Sequence, residues 1–306
     1  MKVLVTGTSG QLGYDVAKTL QSRGHLALGA DRSEPQPDAA GNLPGFDHLT
    51  LDITDREAVL AAVAAAKPDA IIHCAAWTNV DAAEDPENLA AVRAVNVDGT
   101  KNLADAAKSI DAKMIYISTD YVFNGQGTDP WTADDENYAP LNVYGQSKLD
   151  GELAVRATLD KFFIVRIAWV FGLNGKNFIK TMLKVGETHP EVRVVNDQIG
   201  TPTYTVDLAR LLVDMVESDK YGTYHATNEG GFISWADFTS EIYRQAGLST
   251  TVTPVTTAEY GLSKAARPAN SRLDKSKLTA AGFTPLPTWQ DALSRFLADY
   301  LPTQSA

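Results

Sequence analysis

The chain has 306 residues, 44% of them hydrophobic and 21% charged, enough for a full core in one large unit or two closely packed domains. Its formal net charge of -11 argues against nucleic acid as a partner, because binding a phosphate backbone needs clustered Lys and Arg. No apolar run reaches membrane-spanning length and no charged leader precedes a long apolar stretch, so a cytoplasmic protein without membrane contact is expected.

Near the start, Val3, Leu4 and Val5 are consecutively apolar, the pattern of a strand buried on both faces. The turn GTSGQLG follows, and YDVAKTLQSRG reads as a helix ended by Gly24. HLALGAD is a second strand, and a polar stretch rich in proline and glycine then separates Arg32 from Phe46. LTLDITD, the helix REAVLAAVAAAK and the strand AIIHCAA come next. The helix LAAVRAVNVDGTKNLADAAKS and the strand KMIYIST complete another round, and FFIVRIAWVFG continues the sheet. Strands and helices alternate over short connections, which predicts an α/β fold with a Rossmann-type doubly wound parallel sheet.

Beyond residue 172 the alternation loosens. KNFIKTMLKVGE and TVDLARLLVDMVES read as helices, VRVVND and GTYHATN as strands, and TTVTPVTTAEYGLSKAARPANSRLD as a loop-rich stretch before a helical tail. Residues 1–172 are therefore expected to form a dinucleotide-binding domain and 173–306 mainly a smaller C-terminal substrate-binding region, with segments near 192–228 crossing back to the first.

Gly7, Gly10 and Gly13 lie directly between a buried strand and a helix. There the first glycine permits a tight turn, the second lets backbone approach a pyrophosphate, and the third lets helix and strand pack closely. Amides at the helix N-terminus would then face the phosphates. Asp31 ends the second strand, where a carboxylate can accept hydrogen bonds from the adenosine ribose of NAD, whereas Arg32 beside it can hold the 2′-phosphate of NADP. The cofactor is thus NADPH or NADH. Asp52 either meets the adenine amine or caps the next helix.

Tyr144 and Lys148, four apart in NVYGQSK, would share one side of a helix, with Leu149, Leu153 and Ala157 on the opposite side for packing. Pro140 and Asn142 would end the preceding loop and start that helix. A lysine cation near a phenol favours the phenolate and lowers its pKa, which would make Tyr144 an acid–base group; on spacing alone the pair reads rather as a solvated face. Ser118 and Thr119 end a sheet strand, where ligands of open α/β folds bind. Asn96 sits in mid-helix, a poor place for asparagine without a polar task. The single cysteine, Cys74, cannot form an intrachain disulfide and reads as a small buried hydrophobe or a reactive thiol.

The glycine turn, Thr119, Tyr144 and Lys148, in this order, resemble the extended short-chain dehydrogenase/reductases. More narrowly, TGTSGQLG, CAAWTNVDAAE, ISTDYVFNG, NVYGQSK, RIAWVFG, NDQIGTPT and RPANSRLD are together similar to the dTDP-4-dehydrorhamnose reductases, over residues 6–274. The resemblance implies that Tyr144 is the proton donor, that Lys148 binds the nicotinamide ribose and tunes Tyr144, and that Thr119 completes the triad. It implies cofactor phosphates at Gly10, Gln11 and Leu12, and an adenosine side lined by Asp31, Asp52, Ile53 and the run Ala76, Trp77 and Thr78; Arg32, Ala75 and Asn96 are further expected cofactor contacts. Asp120 and Trp169 would contact the sugar together with Thr119, and Arg267 its diphosphate.

Trp77 departs from the family, which commonly has His or Tyr there. Some relatives dimerise through Mg²⁺ bridged by glutamates, and one such position corresponds to Asp15, which leaves a metal-bridged dimer open; the five histidines show no ligand spacing, no metal is expected at the site, and the chain is read as a monomer or homodimer. The implied reaction reduces the C4 keto group of dTDP-4-dehydro-6-deoxy-L-mannose to dTDP-L-rhamnose for surface polysaccharide. The alternatives are a sugar-nucleotide epimerase or dehydratase of the same fold, and a non-catalytic regulatory subunit resembling the reductase.

Overall fold

The computed structural model describes residues 1–33 and 45–304, so the proline- and glycine-rich stretch after Arg32 lies almost wholly outside the described residues. The first part of the chain runs β1 (Lys2–Thr6), α1 (Gln11–Ser22), β2 (Leu26–Asp31), β3 (Asp47–Thr50), α2 (Arg56–Ala66) and β4 (Ala70–His73). Next come α3 (Leu89–Arg93), α4 (Thr100–Ser109), β5 (Lys113–Thr119), α5 (Val143–Thr158) and β6 (Phe162–Ile167). Short strands β7 (Val170–Phe171), β8 (Glu191–Val195), β9 (Ile199–Gly200) and β10 (Thr203–Tyr204) follow, with α6 (Phe178–Thr188) between the first two. α7 (Thr205–Val216), β11 (Gly222–His225), β12 (Ile233–Ser234), α8 (Trp235–Ala246) and β13 (Thr251–Val255) come after them. The described chain closes with α9 (Thr257–Tyr260), α10 (Ser276–Ala280) and α11 (Trp289–Gln304).

Seven of these strands form one sheet in the order β11-β6-β5-β4-β1-β2-β3, every pair parallel. A strand with helices on both sides must be apolar at every position, which is why Val3, Leu4 and Val5 are consecutive and fully buried. Val3 and Val5 face α1 and α7, where they join Val16, Leu20, Leu208 and Leu212. Leu4 faces the other way, against Val59 and Val63 of α2, Leu103 of α4 and Val155 of α5. Each such side chain contributes about 1.5–3 kcal/mol by leaving water.

Three local expectations are revised. The run Phe162–Phe171 is not one strand: Trp169 adopts a left-handed φ of 51°, and the chain turns so that β7 pairs with β10. Within the span 192–228, β11 pairs with β6 in the first sheet and α7 packs on that sheet, but β8 pairs with β13 outside it. The helix expected over Leu89–Ser109 changes pitch in the middle, where Ala94–Gly99 form π-helical turns around Asn96.

α5 also turns a partly different face inward. Of the residues expected to pack, Leu149 is buried, but Leu153 is 49% exposed and Ala157 is exposed, whereas Lys148, Gly151, Glu152 and Val155 are buried. The reason is a buried ion pair: Arg166 of β6 donates from Nε and NH2 to the two oxygens of Glu152, each at 2.8 Å, and neither side chain reaches solvent. A charge so enclosed needs its partner on the same side, and this draws the Tyr144–Lys148 side of the helix toward the sheet. A separate cluster of Phe171, Ile179, Leu183, Tyr204, Phe238 and Phe296 forms the core of the C-terminal region.

Candidate active site

A cleft of about 970 Å³ opens at the C-terminal ends of β1, β4, β5 and β6, where the strand order reverses. Its floor is the glycine turn. Gly7 has a φ of 76°, and a Cβ there would lie 2.6 Å from the Ala75 nitrogen; a Cβ on Gly13 would lie 2.3 Å from the Gly7 carbonyl oxygen. Any larger residue would push β4 or α1 away. α2, α5, α6 and α8 begin under side-chain caps from Asp55, Asn142, Asn177 and Ser234, but α1 begins at Gly10 with none. Gly10, Gln11, Leu12 and Gly13 line the cleft, so the free N–H groups at this helix start are disposed to receive an anion.

On the far side of the turn, Asp31 accepts backbone N–H groups from Ser9 at 3.0 Å and Arg32 at 2.8 Å. The exposed Arg32 guanidinium has no ion-pair partner among the described residues. Asp52 accepts from the Thr54 N–H and hydroxyl at 2.9 and 2.8 Å, and Asp55, not Asp52, caps α2. Of the two readings of Asp52, the helix cap is therefore excluded. Ile53, Ala75, Ala76, Trp77 and Thr78 line the same wall.

Asn96 does not line the cleft. It is buried behind the wall, where it accepts from the Trp77 N–H at 2.8 Å and donates to the Trp77 carbonyl at 3.2 Å and to Ser147 Oγ at 2.8 Å. Its polar task is to fasten the Trp77 segment to α5, and the π-helical turns put it within reach.

The Asn142 side chain accepts the Gly145 N–H at 2.7 Å and sets the start of α5. Tyr144 and Lys148 then reach the cleft one turn apart, facing Thr119 and Asp120 at the end of β5. Burial pushes the Tyr144 phenol above its ordinary pKa, the Asp120 carboxylate adds to that, and the Thr119 hydroxyl opposes it. The lowering expected from Lys148 is not what the geometry gives, because its Nζ lies 4.1 Å from the centroid of the Tyr116 ring. Burial instead lowers Lys148 to about 7, against the opposing pull of Glu152 and Cys74. Asp120 is pushed up to about 6 by burial, and it accepts the Thr119 hydroxyl at 2.9 Å. The set thus holds a protonated phenol beside a lysine that titrates near neutrality.

Toward the C-terminal region, Trp169 lines the cleft and stacks on Trp235. Arg267 also lines it, yet its two terminal nitrogens are engaged by Asp81 at 2.9 Å each. Cys74 is half-buried at the cleft, and burial pushes its thiol up to about 12, which favours the inert reading over the reactive one. Asp15 accepts the Thr205 hydroxyl at 2.5 Å between α1 and α7. Among the described residues no three His, Cys, Asp or Glu side chains converge as metal ligands.

Sequence reasoning missed Lys176, Phe178, Trp235 and Phe238, which also line the cleft. Nothing in the local sequence marked them: Phe178, Trp235 and Phe238 read as core aromatics and Lys176 as a surface lysine.

The parallel sheet, the uncapped helix start at a glycine turn and the cleft at the strand-order reversal define a Rossmann-type dinucleotide-binding protein. The chain belongs to the RmlD substrate binding domain family, whose model matches residues 1–301. It is 40% identical over 297 residues to the dTDP-4-dehydrorhamnose reductase of Streptomyces griseus, covering 95% of this chain and 91% of that one. Among solved structures, it is similar to a dTDP-4-dehydrorhamnose reductase from Clostridium acetobutylicum ATCC 824, with a TM-score of 0.89, 40% identity and coverage of 99% of this chain and 100% of that one. The dTDP-4-dehydrorhamnose reductase of Bacillus anthracis in complex with NADP matches with a TM-score of 0.88 and 37% identity over 97% of this chain and 99% of that one.

Proposed function

We propose that this chain is a dTDP-4-dehydrorhamnose reductase, taking the C4 keto group of dTDP-4-dehydro-6-deoxy-L-mannose to dTDP-L-rhamnose with NADPH or NADH. The observation that carries the reading is the meeting, in one cleft, of the uncapped start of α1 with Thr119, Tyr144 and Lys148. The family membership and the near-full-length likeness to named reductases support the same reading.

The residues present fit a dinucleotide. The glycine turn leaves room and N–H groups for phosphates, and Ser118 Oγ is buried in β5 without a protein partner. When bound, the reduced nicotinamide supplies a hydride. Tyr144 retains its proton at neutral pH, because burial and Asp120 raise its pKa, and it can give that proton to the oxygen that gains charge at C4. Thr119 stands beside it and can turn its hydroxyl from Asp120 to the same oxygen. Lys148, which lines the cleft one helical turn from Tyr144, can donate to ribose hydroxyls of the cofactor. Residues 1–172, joined by α7 and β11, would hold the dinucleotide, while α6 and α8 shape the sugar side.

No helix among the described residues is long and apolar enough to cross a membrane, and the reading places the enzyme in the cytoplasm as a monomer or homodimer. The test is purified protein with the dTDP-4-keto sugar and either reduced cofactor. Loss of the reduced-cofactor absorbance, with dTDP-L-rhamnose as the product, is expected. Conversion without consumption of added cofactor would instead mark an epimerase or dehydratase.

A further inference from the structure

The five tryptophans divide into two groups. The indole N–H groups of Trp77, Trp131 and Trp289 donate to the carbonyls of Asn79, Asn270 and Gly230 at 3.1, 3.3 and 3.1 Å. Those of Trp169 and Trp235 have no partner among the described residues, and neither nitrogen is sealed from solvent. Both side chains are half-buried, so these N–H groups remain available to water or to a ligand. These same two rings are stacked, with centroids 3.7 Å apart and planes 15° from parallel, and both line the cleft.

The stack is held from several directions. Trp169 keeps a left-handed backbone, stabilised by Thr203, whose N–H donates to the Trp169 carbonyl at 3.1 Å and whose hydroxyl donates to the Ala168 carbonyl at 2.6 Å. Gly200 leaves room for the ring, since a Cβ there would lie 3.0 Å from Trp169 Cε2. Trp235 is the first residue of α8, whose start is set by the reciprocal Ser234–Asp237 capping box, and Phe178 rests against it at 4.5 Å. Both rings are therefore immobilised before any ligand arrives. Trp235 covers one face of Trp169, so a sugar can meet only the other face or the ring edge.

We propose that Trp235 is a positioning and specificity-determining residue for the hexose of the sugar nucleotide. It fixes the Trp169 indole as one wall of the sugar site and makes that wall an aromatic surface fringed with N–H donors, suited to the C–H face and hydroxyls of a 6-deoxyhexose. The inference rests on the reductase reading above. Trp235 was absent from the sequence-derived residue set because nothing local to FISWADF distinguishes it from a core aromatic.

The test compares native protein, Trp235→Leu and Trp235→Phe with the dTDP-4-keto sugar and NADPH. Trp235→Leu should raise the KM for the sugar nucleotide about tenfold, the scale of one lost aromatic pair, with kcat and the KM for NADPH little changed. Trp235→Phe, which preserves stacking, should restore most of that affinity. The exciton-coupled circular dichroism of the stacked indoles should vanish in both variants, and in the native protein it should change when dTDP-L-rhamnose is added. Native turnover with an unchanged KM in Trp235→Leu overturns the inference alone, as does a phenylalanine variant no better than leucine. A native protein without turnover overturns the reductase reading and this inference with it.

Discussion

Asp81 and Arg267 form a two-pronged ion pair at the rim of the cleft, Arg267 NH1 and NH2 each lying 2.9 Å from a different oxygen of Asp81. Asp81 also accepts the N–H groups of Lys264 at 3.1 Å and Ala265 at 3.0 Å, and Asn142 Nδ2 donates to the Ala266 carbonyl at 2.8 Å. The strap that carries Arg267 is therefore tied both to the loop after β4 and to the cap of the helix bearing Tyr144. A guanidinium held this way is aimed, and under the proposed function its N–H groups not engaged by Asp81 or Ala265 would meet the diphosphate of the sugar nucleotide.

Removing the aim should weaken sugar-nucleotide binding more than folding. Asp81→Ala is expected to raise the KM for the dTDP sugar roughly tenfold, about 1.4 kcal/mol, with the KM for NADPH unchanged. The side chains are 42% and 24% exposed, so solvent screening should keep the stability loss below about 1 kcal/mol. Arg267 holds the Asp81 carboxyl at about 2, below its unfolded value near 3.9. The pair's contribution is thus complete above about pH 4 and fades only as pH falls toward 2. Steady-state kinetics between pH 5 and 9 should show a KM difference between native and variant that does not vary with pH.

Tyr144→Phe should lower kcat by about 10²–10⁴-fold, the usual yield of one positioned acid, while NADPH binding stays within a few-fold of native. Thr119→Val should cost less, because it removes one hydrogen bond to the developing oxyanion and no transferable proton. Fluorescence titration with NADPH beside turnover measurements separates the two effects. Undiminished turnover in Tyr144→Phe would remove the residue from the mechanism.

Elements governed by local rules were legible in the sequence. The buried strands announce themselves as unbroken apolar runs, and Gly7 and Gly13 stand where any Cβ would strike backbone. The i, i+4 rule correctly puts Tyr144 and Lys148 on one side of α5, but it does not say whether that side faces water or protein. That choice is made by Glu152 and Arg166, a pair joined only when β6 packs beneath the helix. Contacts such as Asp81 to Arg267, 186 residues apart, leave no local trace at all. The same holds for Trp169 and Trp235, which meet only because a break after β6 and the start of α8 converge on one wall of the cleft.

Lys148 should be a residue that the fold tolerates at a cost. Its side chain is buried and its pKa falls from an ordinary value near 10.4 to about 7, so the folded state disfavours its charge. The folded protein binds fewer protons than the unfolded chain between those two values, and stability must rise with pH across that window. The penalty is full at pH 7 and below and gone above about pH 10.4. At roughly 1.4 kcal/mol per unit it amounts to several kcal/mol, the favourable pull of Glu152 being already included, before loss of the Nζ contact with the Tyr116 ring is deducted. Lys148→Met should therefore stabilise the protein by about 1–2 kcal/mol at pH 6, with no gain at pH 10.5, and should abolish turnover. Urea unfolding at the two pH values decides the matter, and a destabilised variant at pH 6 would show the lysine to be well accommodated.

Cofactor choice turns on two adjacent side chains with different freedom. Both oxygens of Asp31 already accept backbone N–H groups, from Ser9 and from Arg32, so the carboxylate is held against the glycine turn. Arg32 is exposed, lines the cleft and has no ion-pair partner among the described residues. A 2′-phosphate would bring the charge that this guanidinium lacks, whereas a bare ribose would give it nothing to bind. NADPH should accordingly be preferred over NADH by about tenfold or more in kcat/KM. Arg32→Ala should remove most of that preference by raising the KM for NADPH while the KM for NADH stays within about twofold, because only the phosphate contact is lost. Initial rates with both cofactors on native and variant protein test this directly. Equal loss for NADPH and NADH would show that Arg32 supports the turn itself and leave the preference to Asp31.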